Sequence, residues 1–207
     1  MVDADMLDST HHDLITTSLD RNLLSTPFRV QTKWHVITGA PCSGKTTIID
    51  QLAEEGFQTV AESGRQYFER EMAKGRTVAE IRESEADERG MKDLQVNIEH
   101  GLRTNEVIFL DRAIPDSLVF YRISGLDPNE ILAECFHHRY ASVFILDCLP
   151  VKQDGVRTED EVIAAFIDEW LDRDYRALGY RVVRVPVLPP PERLAFILEW
   201  ISKTGLI

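Results

Sequence analysis

The chain has 207 residues, 43% of them hydrophobic and 28% charged, and carries a formal net charge of −12. That length suits one core of ordinary domain size, and no apolar run approaches the length of a membrane span. The acidic balance argues against a surface that coats nucleic acid, since such surfaces need clustered Lys and Arg to displace counterions, so an anionic ligand has to be held by a local cationic site.

The start, Met1 to Asp8, has no basic segment followed by an apolar stretch and does not read as a secretory signal, which leaves the cytoplasm as the default compartment. Cys42, Cys135 and Cys148 are odd in number and lack ligand spacing, against both a disulfide framework and a zinc site. Residues 1–32 are rich in aspartate, with scattered apolar residues and Pro27, and read as a flexible or loosely packed N-terminal extension. His11 and His12 within it are adjacent, so their side chains diverge on a helix or a strand and do not suggest a metal pair.

The readable domain, 33–207, opens on a short strand, Trp34 to Thr38. Gly39-Ala40-Pro41-Cys42-Ser43-Gly44-Lys45-Thr46 follows and matches the phosphate-binding pattern G-x-x-x-x-G-K-[ST] at every fixed position. Thr47 then begins a helix whose Ile48, Ile49, Leu52 and Ala53 recur at helical spacing up to Gly56. Strand, glycine loop and helix in that order is the context the motif needs: unpaired N–H groups and the positive dipole end of the helix wrap a phosphate chain. Lys45 is placed to reach the β/γ-phosphates and the Thr46 hydroxyl to hold Mg²⁺.

A second strand, Phe57 to Glu62, ends in an acid that could accept or bind a substrate hydroxyl, or else pair with Arg65 one helical turn on. Ser63 to Lys74 reads as a helix stopped by Gly75, and Ile81 to Arg89 as a densely charged solvated helix face or connector. Met91, Leu94, Gln95, Ile98 and Leu102 resume a helical stripe. The third strand, Val107 to Leu110, is continuously apolar, as in a parallel sheet covered on both faces, and closes on Asp111-Arg112. Asp111 reads as an acid organising Mg²⁺, with a helix cap before Pro115 as the alternative.

Pro115 to Arg122 starts a helix that Gly125 ends, and Pro128 to His138 is expected to form another, with His137, His138 and Arg139 as its basic end. A fourth strand runs from Ser142 to Asp147. The loop after it carries Lys152 and Arg157, cations able to close over phosphates. Thr158 to Glu161 has capping-box spacing and opens a long helix expected to bury Val162, Phe166, Trp170 and Leu171. A fifth strand, Tyr180 to Val185, precedes a last helix with Leu194, Ile197, Leu198 and Ile201 on one face. Five strands alternating with helices around the phosphate loop predict a three-layer α/β P-loop NTPase with a parallel sheet. The phosphate loop, Glu62, Asp111-Arg112 and the 152–157 segment all follow strands, so they should meet at one edge.

GAPCSGKTT, VAESGRQY, FLDRAIPDSLVFY, QDGVRTED, DYRALGY and VVRVPVLPPPERLAFIL together resemble the small P-loop AAA-type ATPase family related to the kinase domain of NadR, the nicotinamide riboside kinase. The resemblance runs from about Trp34 to the C-terminus, and its D-R-x-x-P-D and D-G-V-R-x-E elements are far narrower than the loop motif. It implies a kinase-type core, ATP or GTP with Mg²⁺, and a lid arginine at Arg157. Its likeness to nucleoside kinases implies that Glu62 and Arg112, with Arg65 nearby, face the acceptor. Cys42 departs from the glycine or small residue that members carry there. The expected activity is ATP-dependent transfer to a small nucleoside-like metabolite, catalysed by Lys45, Asp111, Glu62 and Arg157; a nucleotide hydrolase and a nucleotide-dependent switch are the alternatives. The absence of an N-K-x-D motif tilts the nucleotide toward ATP.

Overall fold

The computed structural model describes residues 17–82, 84–149 and 158–206. Seven strands appear in chain order: β1 (Val30–Gln31), β2 (Trp34–Thr38), β3 (Gln58–Val60), β4 (Ile108–Asp111), β5 (His138–Arg139), β6 (Ser142–Leu146) and β7 (Val182–Val185). The helices are α1 (Lys45–Glu54), α2 (Ser63–Ala73), α3 (Val78–Arg82), α4 (Glu85–Gly101), α5 (Ser117–Ile123), α6 (Thr158–Ala177) and α7 (Pro190–Thr204). Five strands form one parallel sheet in the order β3-β4-β2-β6-β7, and β1 pairs separately with β5.

The all-apolar strands have a direct reading in this sheet. Val143 and Ile145 of β6 join a core with Leu118, Val119, Ile167 and Leu171, whereas Phe144 and Leu146 join a second core with Ile48, Leu52, Ile197 and Ile201. Alternate residues thus enter opposite cores, with α1 and α7 on one face and α5 and α6 on the other, giving three layers. Every residue of β2, β4 and β6 is buried. His35 on β2 is among them; burial lowers its pKa to about 4, and its Nδ1 lies 2.7 Å from Ser142 Oγ.

The strand order places the phosphate loop centrally. β2 lies between β4 and β6, and the chain crosses from the β3-β4 side to the β6-β7 side around it. Ligand crevices in open parallel sheets form beyond the carboxyl ends of strands at such a switch point.

Several sequence expectations change. Pro128 to His138 is not a continuous helix: two 3₁₀ turns, Pro128–Glu130 and Glu134–Phe136, bury Leu132, Cys135 and Phe136. His138 and Arg139 form β5 rather than a basic helix end, because β1 offers them a ladder, Val30 against His138 and Gln31 against Arg139. Ile81 to Arg89 is not simply solvated. Ile81 and Asp87 are buried, and Asp87 accepts from Tyr67 Oη at 2.8 Å and from both Arg76 Nη atoms at 2.6 and 2.5 Å. Val162 is 71% exposed, and the buried stripe of α6 starts later, at Ile167, Trp170, Leu171 and Tyr175. Leu19, Leu23, Leu24 and Phe28, upstream of β2, pack against the larger core.

Candidate active site

The loop between β2 and α1 owes its shape to backbone that few side chains tolerate. Gly39 has φ 145°, and a Cβ there would lie 2.7 Å from Leu146 O and 2.8 Å from Ser43 Oγ, so the strand-to-loop turn closes only on glycine. Gly44, at φ 90°, turns the chain into α1. Cys42 is in the left-handed region at φ 61°, a conformation that glycine adopts without strain and a side chain rarely does. Ser43 is buried, while Pro41, Cys42, Thr46 and Thr47 are exposed.

Lys45 folds back over the loop. Its Nζ donates to Gly39 O at 3.0 Å, Ala40 O at 2.9 Å and Ser43 Oγ at 3.4 Å. Burial, followed by the charge of Arg112, lowers its pKa to about 8, against the opposing pull of Asp111, Glu62 and Asp116. The loop is also braced from behind by Arg193 of α7, which is 2% exposed. Its Nη1 donates to Ser43 O at 2.5 Å, its Nη2 to Asp147 O at 2.8 Å and its Nε to Pro186 O at 2.8 Å. One planar guanidinium thereby fastens the phosphate loop to the ends of β6 and β7, a fork a lysine could not reproduce.

The end of β4 supplies the charged half of the site. Asp111 is buried, and its Oδ1 has no hydrogen-bond partner among the described residues. Burial, together with the negative charge of Glu62, raises its pKa to about 6, a strained state for a carboxyl that a bound cation would relieve. It does not serve as the helix cap that its position before Pro115 allowed; Asp116 takes that part, accepting from Ala113 N at 3.1 Å.

Arg112 adopts φ 69°, a left-handed conformation rare for a long side chain. Its N–H donates to Ile37 O at 3.1 Å, its Nε to Glu62 Oε1 at 2.8 Å and its Nη1 to Asp116 Oδ1 at 3.1 Å, and its guanidinium lies 5.0 Å over the Phe120 ring. Among the described residues the ion-pair partner of Glu62 is therefore Arg112 and not Arg65, which is exposed at the first turn of α2. Burial works to raise the Glu62 carboxyl, but the charge and hydrogen bond of Arg112, with Lys45 and Arg65, outweigh it and hold it below the usual range.

Asp116 is the junction that sequence reading left without a role. Its Oδ1 accepts from the Thr38 hydroxyl as well as from Arg112, and its Oδ2 from Tyr175 Oη at 2.6 Å as well as from Ala113 N. It joins β2, the β4–α5 loop and α6. The signal for it lay in the P-D pair of D-R-x-x-P-D. Arg193 lay within PPPERLAFIL, but nothing local there points to the phosphate loop. Glu99 of α4 completes the support: Ile114 N donates to it at 2.9 Å, Tyr140 Oη at 2.7 Å and Gln95 Nε2 at 2.8 Å.

Lys45, Glu62, Asp111, Arg112 and Asp116 thus act on one another at one sheet edge. Lys152 and Arg157 lie outside the described residues, as do the side chains of Thr158 to Glu161. The glycine cradle, the exposed Thr46 and the unpartnered Asp111 Oδ1 fit a Mg²⁺-nucleotide, and Thr46 and Asp111 are the groups that could hold the ion.

The AAA domain family pattern matches residues 34–193. The chain belongs to the AAA domain family. Its boundaries in this AAA domain protein run from the first residue of β2 to the arginine that braces the loop. No curated protein matches the chain. Among solved structures it is similar to a NadR protein in complex with NR, with a TM-score of 0.60 and 20% identity over 83% of this chain and 50% of that one. It is similar to deoxyadenosine kinase from M. mycoides, with a TM-score of 0.57 and 14% identity over 82% of this chain and 99% of that one. It is also similar to thymidylate kinase from Candida albicans, with a TM-score of 0.55 and 16% identity over 84% of this chain and 93% of that one. This AAA domain chain spans half the length of the NadR structure. At these identities the likeness concerns the fold, a P-loop NTPase of kinase type. Among the described residues no helix is long and apolar enough to cross a membrane.

Proposed function

We propose that the protein is an ATP-dependent kinase that transfers the γ-phosphoryl group to a hydroxyl of a small nucleoside-like metabolite. The observation that carries this reading is the Glu62–Arg112–Asp116 array beside Lys45: a buried arginine, held in strained backbone, presents a half-buried acid at the edge of the phosphate loop. A nucleotide switch needs the loop but has no use for a fixed acid and arginine next to it. A kinase needs a second site there, to orient an acceptor toward the transferred group.

In this reading the N–H groups at the start of α1 and the left-handed turns of the loop hold the phosphate chain. Lys45 exchanges its contacts with Gly39 O and Ala40 O for phosphate oxygens, and remains a cation near neutral pH. Mg²⁺, when bound at Thr46 and Asp111, supplies neutralisation of charge on the bridging oxygens. Glu62 accepts a hydrogen bond from the acceptor hydroxyl. The new bond joins that oxygen to the γ-phosphorus, the bond to the departing diphosphate breaks, and the hydroxyl proton passes to Glu62. A weak base suffices, because the loose transition state of phosphoryl transfer asks for alignment and charge cancellation more than for early proton removal. Arg112 keeps Glu62 ionised and aimed, and Arg65 adds positive charge at the mouth; Arg157, outside the described residues, is the further cation this reading assigns to the phosphates.

The test is ATP turnover by the purified protein with Mg²⁺, alone and with nucleosides and pyridine ribosides, beside Lys45→Ala. One acceptor should accelerate turnover sharply and the variant should abolish it. Tight nucleotide binding with slow turnover that no hydroxyl acceptor accelerates would overturn the kinase reading in favour of a hydrolase or a switch.

A further inference from the structure

A second cluster of ligating side chains lies at the other end of the sheet. α4 runs from Glu85 to Gly101 and is followed by β4, whose far end bears Asp111, so the last turn of α4 lies at the amino-terminal edge. The ring of His138 packs 4.6 Å from that of Trp34, the first residue of β2, at the same edge. The phosphate loop follows Thr38, at the opposite end of β2. Nothing in the site described above uses these residues.

His100 occupies the last turn of α4, and Glu134 and His137 belong to the 3₁₀ turn before β5. His137 N–H donates to Glu134 O at 3.0 Å, and residues three apart in such a turn stand one above the other, so both side chains face one side. One ligand atom from each of His100, Glu134 and His137 lies within 4.8 Å of the others. The His100 and His137 rings are 4.3 Å apart, and His138 adds a third imidazole 4.5 Å from His137 and 5.7 Å from His100. Among the described residues neither His100 nor His137 spends a ring nitrogen on a hydrogen bond to another side chain, and the adjacent His138 Nδ1 is buried without a hydrogen-bond partner.

We propose that His100, His137 and Glu134 bind a divalent transition ion of the zinc class, with water completing the shell. Two imidazoles and a carboxylate are the donor set such an ion takes, in preference to the all-oxygen shells of Mg²⁺ and Ca²⁺. Tetrahedral zinc, with ligands at about 2.0–2.2 Å, needs its donors about 3.3 Å apart. The cluster closes by at most about 1.5 Å to reach that, a movement open to an exposed His100 and half-buried Glu134 and His137. Besides the neighbouring imidazoles of His138 and His100, Arg29 also acts on His137, and it is exposed and free to turn outward. The ion would clamp the end of α4 to the turn before β5. Glu99, next to His100, holds Ile114 N, so the clamp also steadies the loop that carries Arg112. The site is structural and independent of the kinase reading.

The full chain, stripped with chelator and kept in excess Mg²⁺ to occupy oxygen-ligand sites, is titrated with Zn²⁺ by calorimetry and with Co²⁺ by visible absorption. One ion per chain is expected, with Co²⁺ d–d bands and no thiolate charge-transfer band. His100→Gln, at an exposed position that folding does not need, and His137→Ala should each weaken binding by more than about 10-fold, the smaller end of what even an outer-shell partner contributes. Zn²⁺ should raise the melting temperature of the wild type and of a His11→Ala/His12→Ala variant, and not that of His100→Gln. Binding unaffected by His100→Gln, binding lost with His11 and His12, a thiolate band from Cys42 or Cys148, or no binding at micromolar Zn²⁺ would each overturn the assignment.

Discussion

Asp116→Asn tests the junction on which the candidate site rests. The carboxylate accepts four hydrogen bonds, two per oxygen: Thr38 and Arg112 on Oδ1, Ala113 N and Tyr175 on Oδ2. An amide keeps one acceptor oxygen. In either orientation its NH₂ confronts one obligate donor, Arg112 or Ala113 N, and one hydroxyl that must turn to accept, and Arg112, 8% exposed, loses one of its two counter-charges. Hydrogen bonds to charged groups are worth about 1.5–3 kcal/mol each and neutral ones about 0.5–1.5, so one bond lost and three made neutral amount to roughly 4–6 kcal/mol. Breaking a buried ion pair from one side costs about 3–5 kcal/mol by a separate route. A loss near 4 kcal/mol would take a large share of the ~5–15 kcal/mol of a typical domain. Urea unfolding near neutral pH reads it directly, since a slope of about 2 kcal/mol/M lowers the midpoint by about 2 M. Tyr175→Phe removes one donor and leaves the carboxylate with three, and should cost about 1 kcal/mol. A midpoint for Asp116→Asn within about 0.5 M of wild type, or a Tyr175→Phe penalty as large as that of Asp116→Asn, would refute the assignment of Asp116 as the hub.

Other substitutions probe the remaining parts. Asp111→Asn should abolish turnover yet stabilise the nucleotide-free protein. Its pKa is raised from 3.8 to about 6, so ionising it costs the folded state nothing below the unfolded value, increasingly more as pH rises toward 6, and the full amount above that. The gain should be on the order of 2 kcal/mol at neutral pH and vanish below about pH 4; equal gains at both, measured by chemical unfolding, would show that ionisation is not the cause. Arg193→Ala, and nearly as much Arg193→Lys, should weaken nucleotide binding about 10-fold by freeing Ser43 O from its brace, measured by calorimetry on protein that remains folded by circular dichroism. Gly39→Ala should lower stability by several kcal/mol against about 1 kcal/mol for Gly56→Ala; both have positive φ, but only the first places a methyl against backbone. Cys42→Gly should stabilise by about 1 kcal/mol in thermal unfolding, with nucleotide affinity unchanged, because it relieves left-handed backbone at a side chain that faces outward.

What the sequence reveals here follows the range of the interactions. The phosphate loop, its strand and its helix are local, and so are the apolar runs of β2, β4 and β6, so the parallel three-layer fold and the meeting of Lys45, Glu62, Asp111 and Arg112 could be read from spacing. Asp116 and Arg193 could not be given roles that way, because their partners lie 78 and 150 residues away. Glu62 illustrates the same limit. Arg65 is its near neighbour in sequence, but the left-handed turn at Arg112 brings a guanidinium from 50 residues on into better contact. The 128–138 segment has the composition of a helix, yet the ladder with β1 and the burial of Phe136 favour turns and a strand, a tertiary preference that no local propensity records. Val162 lies on the expected stripe of α6 but one turn short of where the helix meets the sheet.

The short ladder outside the main sheet also fixes how far the protein can be trimmed. Arg29, Val30 and Thr32 donate backbone hydrogen bonds to Phe136, His137 and Arg139, and Phe28 packs against Phe136 and Tyr180 under the Arg139 guanidinium. All four of these upstream residues precede the family match, which begins at Trp34. A fragment cut at that boundary would present to water a bare strand edge beside two uncovered aromatic rings, a template on which a second chain could add. The smallest well-behaved version of this domain therefore begins upstream of Phe28, and the part of the chain most easily dismissed as a leader is the cover that keeps its neighbour from sticking.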